Sequence, residues 1–234
     1  MLEDILQSGF AELGLRPDAA AADRYRTYYE RLTETNKVMN LTAIEGEADV
    51  ARLHFLDCAS LLTLADFKGK RVTDIGTGAG FPGLALKIAE PGMQLCLLDS
   101  LDKRIGFLSG LCRELGFDDV ECIHARAEEI PEGMRDGSDI VLSRAVARLN
   151  LLCELCLPYV KPGGLFIAMK GPDCGEELEE ARNAVKLLCG RIEECRSITV
   201  PGTDIVHSAV IIKKLSNTPA KYPRRWAQIK KQPL

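Results

Sequence analysis

A glycine-rich segment, Asp74-Ile-Gly-Thr-Gly-Ala-Gly-Phe-Pro-Gly83, follows an apolar run that begins at Val72. Glycine lets the main chain turn sharply and pass close to a ligand, because no side chain intervenes. A short strand, a glycine-rich turn and the start of a helix together typically place a nucleotide-like ligand at the mouth of a parallel sheet. The segment therefore predicts a binding site for a ligand of this kind.

The spacing of the glycines distinguishes among such ligands. The dinucleotide fingerprint requires glycine at its first, third and sixth positions. Gly76 and Gly78 meet the first two requirements, but the sixth position is Phe81. The Walker pattern also fails, since no Gly-Lys-Ser/Thr follows. The remaining pattern, Asp-x-Gly-x-Gly-x-Gly, begins with Asp74, whose carboxylate suits the ammonium group of S-adenosylmethionine and would repel a pyrophosphate.

Two further segments are placed to hold the rest of such a ligand. Asp99 ends the second predicted strand, about 20 residues after the glycine turn, where a carboxylate accepts hydrogen bonds from ribose hydroxyls. The third predicted strand leads into Arg126-Ala127-Glu128-Glu129, where the backbone and a carboxylate could read an adenine edge. In the alternative interpretation, Asp74 and Asp99 are strand-end caps or turn residues.

Cationic residues follow the fourth and fifth predicted strands, at Arg144 and Lys170, and no general base is recognisable beside them. Methyl transfer from a sulfonium is an in-line displacement, which chiefly requires alignment of the acceptor lone pair. The chain has no Asp/Asn-Pro-Pro-Tyr turn for an exocyclic amine, and we interpret Cys174 as incidental rather than as a nucleophile. Guanine N7 fits as an acceptor, because it needs no deprotonation and belongs to a polyanion. Alternatively, each cation is a surface ion-pair partner.

Composition limits the class of protein. The chain has 234 residues, of which 46% are hydrophobic and 27% charged, and these are ordinary globular values. We expect a cytoplasmic protein, because no segment has the pattern of a signal sequence or of a membrane span. Nine cysteines, an odd number without metal-ligand spacing, favour reduced thiols and no metal site.

Charge is unevenly distributed along the chain. The net charge of −4 argues mildly against a general nucleic-acid-binding protein. No acidic residue follows Asp204, however, whereas several basic residues do: Lys213, Lys214, Lys221, Arg224, Arg225, Lys230 and Lys231. Such a tail is either a solvated or disordered segment or an arm that binds a phosphate backbone.

The hydrophobic pattern divides the chain into a helical N-terminal extension (1–64), an α/β domain (65–215) and a basic C-terminal tail (216–234). Helical periodicity covers residues 2–13, 18–37 and 47–64. The predicted strands are 72–75, 94–98, 120–123, 140–142 and 165–169, followed by an antiparallel pair, 196–200 and 208–212. The predicted helices between them are 82–89, 103–115, 148–157 and 176–188. This alternation predicts a doubly wound, mostly parallel sheet.

Several stretches occur in an order found in one known family. They are Asn36-Lys-Val-Met-Asn-Leu-Thr-Ala-Ile44, His54-Phe-Leu-Asp57, the glycine segment 74–83, Leu98-Asp-Ser-Leu-Asp-Lys-Arg104, Arg126-Ala-Glu128, Ser143-Arg-Ala145, Lys170-Gly171 and Asn217-Thr-Pro-Ala-Lys-Tyr-Pro-Arg224. Together they resemble the small-subunit (16S) ribosomal RNA guanine-N7 methyltransferases, once called glucose-inhibited division protein B. The resemblance covers most of the chain.

The resemblance implies a class I S-adenosylmethionine-dependent methyltransferase, with a Rossmann-like seven-stranded sheet, that modifies N7 of one guanine in 16S ribosomal RNA of the small ribosomal subunit. It implies that the cofactor is contacted by Gly76, Phe81, Ala127, Glu128 and Arg144. It also implies that four basic residues face RNA or shape the pocket: Lys103, Arg104, Arg126 and Lys170. We expect a monomer in which the Asp74 loop holds the methionine end, Asp99 the ribose, and Arg144 and Lys170 the guanine.

One position departs from the family pattern. Many members carry an arginine before the last strand, where this chain has His207, which we interpret as an ordinary strand residue. We interpret His54 as a packing residue. Two other functions stay open: a methyltransferase that acts on small molecules or proteins, and a non-catalytic RNA-binding protein with a vestigial cofactor loop.

Overall fold

The alternating segments after Arg71 form one seven-stranded sheet in the computed structural model, which describes residues 1–234. The strands are β1 (Arg71–Ile75), β2 (Gln94–Asp99), β3 (Glu121–His124), β4 (Ser138–Arg144), β5 (Val160–Lys170), β6 (Gly190–Thr199) and β7 (Val206–Lys214). Their order is β3-β2-β1-β4-β5-β7-β6. Strands β1 to β5 pair in parallel, and β7 is antiparallel to β5 and β6. The predicted fold class is confirmed.

The helices follow the predicted segments, with one addition at the C-terminus. They are α1 (Leu2–Glu12), α2 (Ala21–Met39), α3 (Glu47–Val50), α4 (Asp57–Ala59), α5 (Gly83–Ala89), α6 (Asp102–Glu114), α7 (Leu149–Cys156), α8 (Gly175–Leu187) and α9 (Trp226–Lys231). A π-helical stretch, Ala51–Leu56, joins α3 to α4. Helix α2 begins later than predicted, because the Asp18 carboxylate accepts a hydrogen bond from the Ala20 amide (3.0 Å) and closes a turn first.

Helix α2 packs behind the glycine turn and fixes its position. Tyr25 and Tyr28 are fully buried in the cluster that also contains the core of the sheet. Tyr25 Oη donates to the carbonyl of Ala85 (2.7 Å), and Tyr28 Oη donates to the carbonyl of Ala79 (2.6 Å). The Tyr28 ring also stacks on Phe81, with centroids 5.2 Å apart. The N-terminal helices therefore share a core with the sheet and support its ligand-binding edge.

The basic tail is folded onto the domain, which the charge pattern did not predict. Tyr222 and Ile229 are buried. The Arg224 guanidinium pairs with the buried Glu154 carboxylate at 2.6 Å. Lys214 is also buried, and its ammonium donates to the carbonyl of Leu157. Of the alternatives for the tail, a disordered segment is wrong, because its apolar residues and its ion pair are directed into the protein. Four of its cations stay exposed: Lys221, Arg225, Lys230 and Lys231.

Three further features concern the cysteines, the possible metal ligands and the hydropathy of the helices. All nine cysteines are free thiols. No group of three or more histidine, cysteine or acidic side chains is arranged to hold a metal ion. None of the helices combines the length and the hydropathy that crossing a bilayer requires.

Candidate functional site

A cavity of about 520 Å³ opens at the carboxyl ends of the central strands. These ends meet where the strand order reverses, between β1 and β4, which is where open α/β sheets bind ligands. Most of the residues predicted to form a site line this cavity: Gly76, Gly78, Phe81, Asp99, Arg104, Arg126, Ala127, Glu128 and Arg144. Asp74, Lys103 and Lys170 are not among its lining residues.

The glycine turn has a backbone that only glycine adopts readily. Gly78 has a φ of 62° and Gly80 a φ of 107°, both in the left-handed region. A Cβ on Gly80 would also lie 2.5 Å from Tyr28 Oη. The Gly78 amide donates to Asp99 Oδ2 at 2.9 Å, which ties the turn to the end of β2. The main chain therefore passes close to the cavity without side chains in the way.

Asp74 lies behind the turn and is fully buried. Its Oδ2 accepts hydrogen bonds from Thr77 Oγ1 (2.7 Å) and from the Gly83 amide (2.8 Å). Its Oδ1 has no hydrogen-bond partner. Burial raises the pKa of this carboxyl to about 6. Asp74 thus shapes the turn, and its second oxygen is a buried acceptor without a partner, although the residue does not itself line the cavity.

Asp99 both lines the cavity and caps its own turn. Oδ1 accepts from the Leu101 amide at 2.9 Å, and Oδ2 lies 3.4 Å from the Arg104 guanidinium. The interpretation of Asp99 as a turn cap is therefore compatible with its interpretation as a ribose contact. The Asp99 carboxylate is thus held in place at the end of β2, the position from which a carboxylate contacts the ribose in nucleotide-binding α/β sheets.

The segment after β3 forms another part of the cavity wall. Ala127 and Glu128 line it, and Tyr159 Oη donates to the Ala127 carbonyl at 2.9 Å. Arg126 is exposed and lies 3.9 Å from Glu128. The backbone here is anchored by a buried tyrosine.

Arg144, at the end of β4, is held by contacts on several sides. Its guanidinium donates to His54 Nδ1 (2.6 Å) and to the Leu53 carbonyl (3.2 Å), and it lies 3.4 Å from Asp57 Oδ2. It also lies over the Phe81 ring, 5.0 Å from the centroid. The planar fork of arginine suits this arrangement of acceptors, which a lysine could not match.

His54 and His207, which we interpreted as a packing residue and an ordinary strand residue, belong to the group of side chains around Arg144. Because arginine can only donate, His54 Nδ1 must accept, so Nε2–H donates to Thr42 Oγ1 at 2.7 Å. Burial and the neighbouring Arg144 charge lower the pKa of His54 to about 3, and it stays neutral. His207 Nδ1 donates to Asp57 Oδ1 at 2.9 Å, and this hydrogen bond raises the pKa of His207. The i, i+3 spacing of His54 and Asp57 on one helical face was the available sequence signal.

A second cavity, of about 510 Å³, adjoins the first at Arg144. His54, Ala145 and Arg144 line both cavities, and Asp57, Lys170 and His207 line the second. Lys170 Nζ donates to the Ala147 carbonyl (2.8 Å) and pairs with Glu177 (2.7 Å), so its charge is engaged. Lys103 is exposed at the start of α6. The arrangement provides two compartments that meet at one guanidinium.

All three segments of the chain contribute to the first cavity. His54 comes from the N-terminal segment, the glycine turn from the sheet, and Trp226 from α9 in the tail. Sequence reasoning did not identify Trp226, because no local pattern connects it with a turn roughly 150 positions earlier.

Comparison with known proteins agrees with this architecture. Residues 22–202 match the family model described as GidB: rRNA small subunit methyltransferase G. The ribosomal RNA small subunit methyltransferase G of Alkaliphilus oremlandii is 46% identical over 100% of this chain and 99% of its own. Two solved structures share the fold: TrmN from Thermus thermophilus (TM-score 0.55, 21% identity, 68% of this chain and 48% of that one) and M. jannaschii TYW2 in complex with AdoMet (TM-score 0.55, 10% identity, 68% and 62%). The chain therefore belongs to the GidB family, rRNA small subunit methyltransferase G.

Proposed function

We propose that this protein transfers the methyl group of S-adenosylmethionine to N7 of one guanine in 16S ribosomal RNA of the small ribosomal subunit. The observation that carries the proposal is that Asp57, Glu177 and His54, at the junction of the two cavities, are each held by a cationic side chain, Arg144 or Lys170. An acceptor that reacts without losing a proton suits such a site, and guanine N7 has that property.

The acids at the junction illustrate this engagement. Asp57 lies between Arg144 and His207, and Glu177 lies between Lys170 and the Leu149 amide (2.7 Å). Each carboxylate is therefore paired with a cationic side chain, Asp57 with Arg144 and Glu177 with Lys170.

The two histidines at the junction have different partners. The lone pair of His54 is occupied by Arg144. His207 donates from Nδ1 to Asp57, and this hydrogen bond raises the pKa of His207. Arg144 and His54 therefore support positioning of an acceptor.

The cofactor, when bound, supplies an electrophilic methyl group on a sulfonium. The glycine turn and Asp74 would hold its methionine end, Asp99 its ribose, and Ala127 with Glu128 its adenine. The acceptor base would enter the second cavity, where Arg144 and Lys170 hold it against the junction. This arrangement would bring donor and acceptor together at Arg144, without a covalent enzyme intermediate.

An RNA substrate is favoured by the cations that stay in solvent. Arg126 is exposed at the cavity, Lys103 is exposed on α6, and Lys221 and Arg225 are exposed on the tail. Such residues bind phosphates without reading sequence. The relatives' name indicates the same substrate class, ribosomal RNA of the small subunit. We further propose that the protein is cytoplasmic and monomeric. Sedimentation at working concentration would test the monomeric state.

The decisive experiment follows a tritiated methyl group from S-adenosylmethionine into three substrates: naked 16S RNA, protein-bound 16S RNA and the assembled small subunit. We expect label in at least one of them, at a guanine after which borohydride and aniline cleave the RNA chain. Label on protein or small molecules would support the rival methyltransferase. No transfer together with no cofactor binding in calorimetry would support the vestigial RNA-binding protein.

A further inference from the structure

Trp226 is an aromatic residue at the edge of the first cavity that none of the assigned cofactor contacts includes. It is the first residue of α9 and the chain's one tryptophan. It is half-buried, and it packs against the hydrophobic cluster on the same side of the sheet as Ala127. It lines the cavity together with Ala127, Glu128 and Leu155. Ala127 and Glu128 are the residues assigned to adenine.

Several contacts hold Trp226 in this place. Arg224 donates to Glu154 from its backbone amide (2.9 Å) and from its guanidinium (2.8 and 2.6 Å). Glu154 precedes Leu155 on α7, so the ion pair brings the tail alongside the helix that lines the cavity. On the other side of the tryptophan, Ile229 is fully buried. The tail is thereby attached to the domain both before and after Trp226.

A second set of contacts fixes the connection that leads to α9. The Arg135 guanidinium donates to the carbonyls of Thr218 (3.1 Å) and Tyr222 (2.9 Å). The Thr218 hydroxyl accepts from the buried Lys214 ammonium. Buried polar contacts of this kind make the path of a segment well defined. Trp226 is therefore held in place by contacts between its segment and the folded domain, and it does not belong to a free chain end.

We propose that Trp226 forms an aromatic wall of the adenine subsite, so that the C-terminal segment binds cofactor and is not only a cationic arm for RNA. The inference rests on the proposed function, since it takes S-adenosylmethionine as the ligand. The purine of the cofactor has a π-face, and contact with a tryptophan ring is favourable for any purine. Leu155 and Ala127 supply the remaining apolar surface. Glu128 supplies the polar edge.

The test measures binding of S-adenosylhomocysteine, the product form of the cofactor, to the full-length protein. Because Trp226 is the single tryptophan, selective excitation reports on this position alone. We expect the emission to change on saturation with S-adenosylhomocysteine or adenosine, but not with methionine. Calorimetry should show affinity about 5- to 30-fold weaker for Trp226→Ala and a smaller loss for Trp226→Phe, as loss of one base–aromatic contact predicts.

The Lys230→Ala variant on the same helix is the matched control, because Lys230 is exposed and does not line the cavity. Its affinity for S-adenosylhomocysteine should stay unchanged. Thermal unfolding checks that each variant is folded, and Trp226→Phe serves if the alanine variant is not. Unchanged affinity in folded Trp226→Ala, or weaker RNA binding with unchanged cofactor affinity, would overturn the inference. Failure of the wild-type protein to bind any adenosine ligand would instead overturn the proposed function itself.

Discussion

Replacing Arg144 by lysine keeps a positive charge at the junction of the two cavities but removes the planar fork. In the native protein the guanidinium reaches His54 Nδ1, the Leu53 carbonyl and the Asp57 carboxylate, and it lies over the Phe81 ring. A lysine ammonium can keep one of these contacts. The others involve a charged donor, for which each hydrogen bond contributes about 1.5–3 kcal/mol, although the long contact to Asp57 lies below that range.

Without these contacts the lysine ammonium of Arg144→Lys should be misplaced at the junction, and we expect this displacement of a positioning group to cost about 2–3 kcal/mol of transition-state stabilisation. This corresponds to a decrease of roughly 30- to 150-fold in kcat/KM for methyl transfer to 16S RNA. Arg144→Ala should be less active still, and also less stable, because Asp57 would then stay buried without the guanidinium.

The assay is transfer of labelled methyl to the best RNA substrate under subsaturating conditions, with thermal unfolding recorded in parallel. The matched control is Arg148→Lys, because Arg148 is an exposed arginine whose partner is Glu180 at 2.9 Å. An exposed pair of this kind contributes about 0–1 kcal/mol, so its loss should leave transfer within a few-fold of wild type. If folded Arg144→Lys kept nearly full activity, the assigned positioning role of the guanidinium would be refuted.

Three further predictions concern buried charges. In the folded protein the pKa of His54 is about 3, below its usual 6.5, so the unfolded state binds the proton first as the pH falls. The free energy of unfolding should therefore fall by roughly 2–3 kcal/mol between pH 7 and about pH 4.5. His54→Gln should reduce that loss in urea titrations. In the folded protein the pKa of Asp74 is raised from 3.8 to about 6, so the folded state keeps this proton longer than the unfolded state does, and the free energy of unfolding falls as the pH rises through that range. In Asp74→Asn the change in this free energy between pH 4 and pH 7 should be about 1–3 kcal/mol smaller, and the variant should bind cofactor more weakly. Arg224→Ala leaves buried Glu154 without its guanidinium and should lower the free energy of unfolding by about 3 kcal/mol, whereas Lys230→Ala should not.

Each of these predictions has a contrary outcome. If the free energy of unfolding depended on pH identically in wild type and His54→Gln, His54 would have to become protonated in the folded state as readily as in the unfolded state. Equal pH sensitivity in wild type and Asp74→Asn would mean that the Asp74 carboxyl is effectively hydrated. A loss below about 1 kcal/mol in Arg224→Ala would place the tail ion pair in the class of exposed pairs.

Local features of the sequence were sufficient for most elements of the fold, but not for the first half of β6 or for α9. The strands near Val72, Gln94 and Leu165 are short apolar runs, and the helices have apolar positions at helical spacing, so each could be located without knowledge of its neighbours. The glycine turn was equally recognisable, because the left-handed backbone at Gly76 and Gly78 strongly favours glycine. The strand–helix alternation then left few possible topologies.

The sequence alone thus determined which ligand class fits the turn and at which edge of the sheet the site lies. Only the tertiary structure decided that His54, Asp57 and His207 surround Arg144, and that Trp226 from the tail reaches the same cavity. The physical reason is that backbone conformation depends on near neighbours in the chain, whereas these contacts join residues far apart in sequence. Their positions follow from how the helices and the tail bury apolar surface against the sheet.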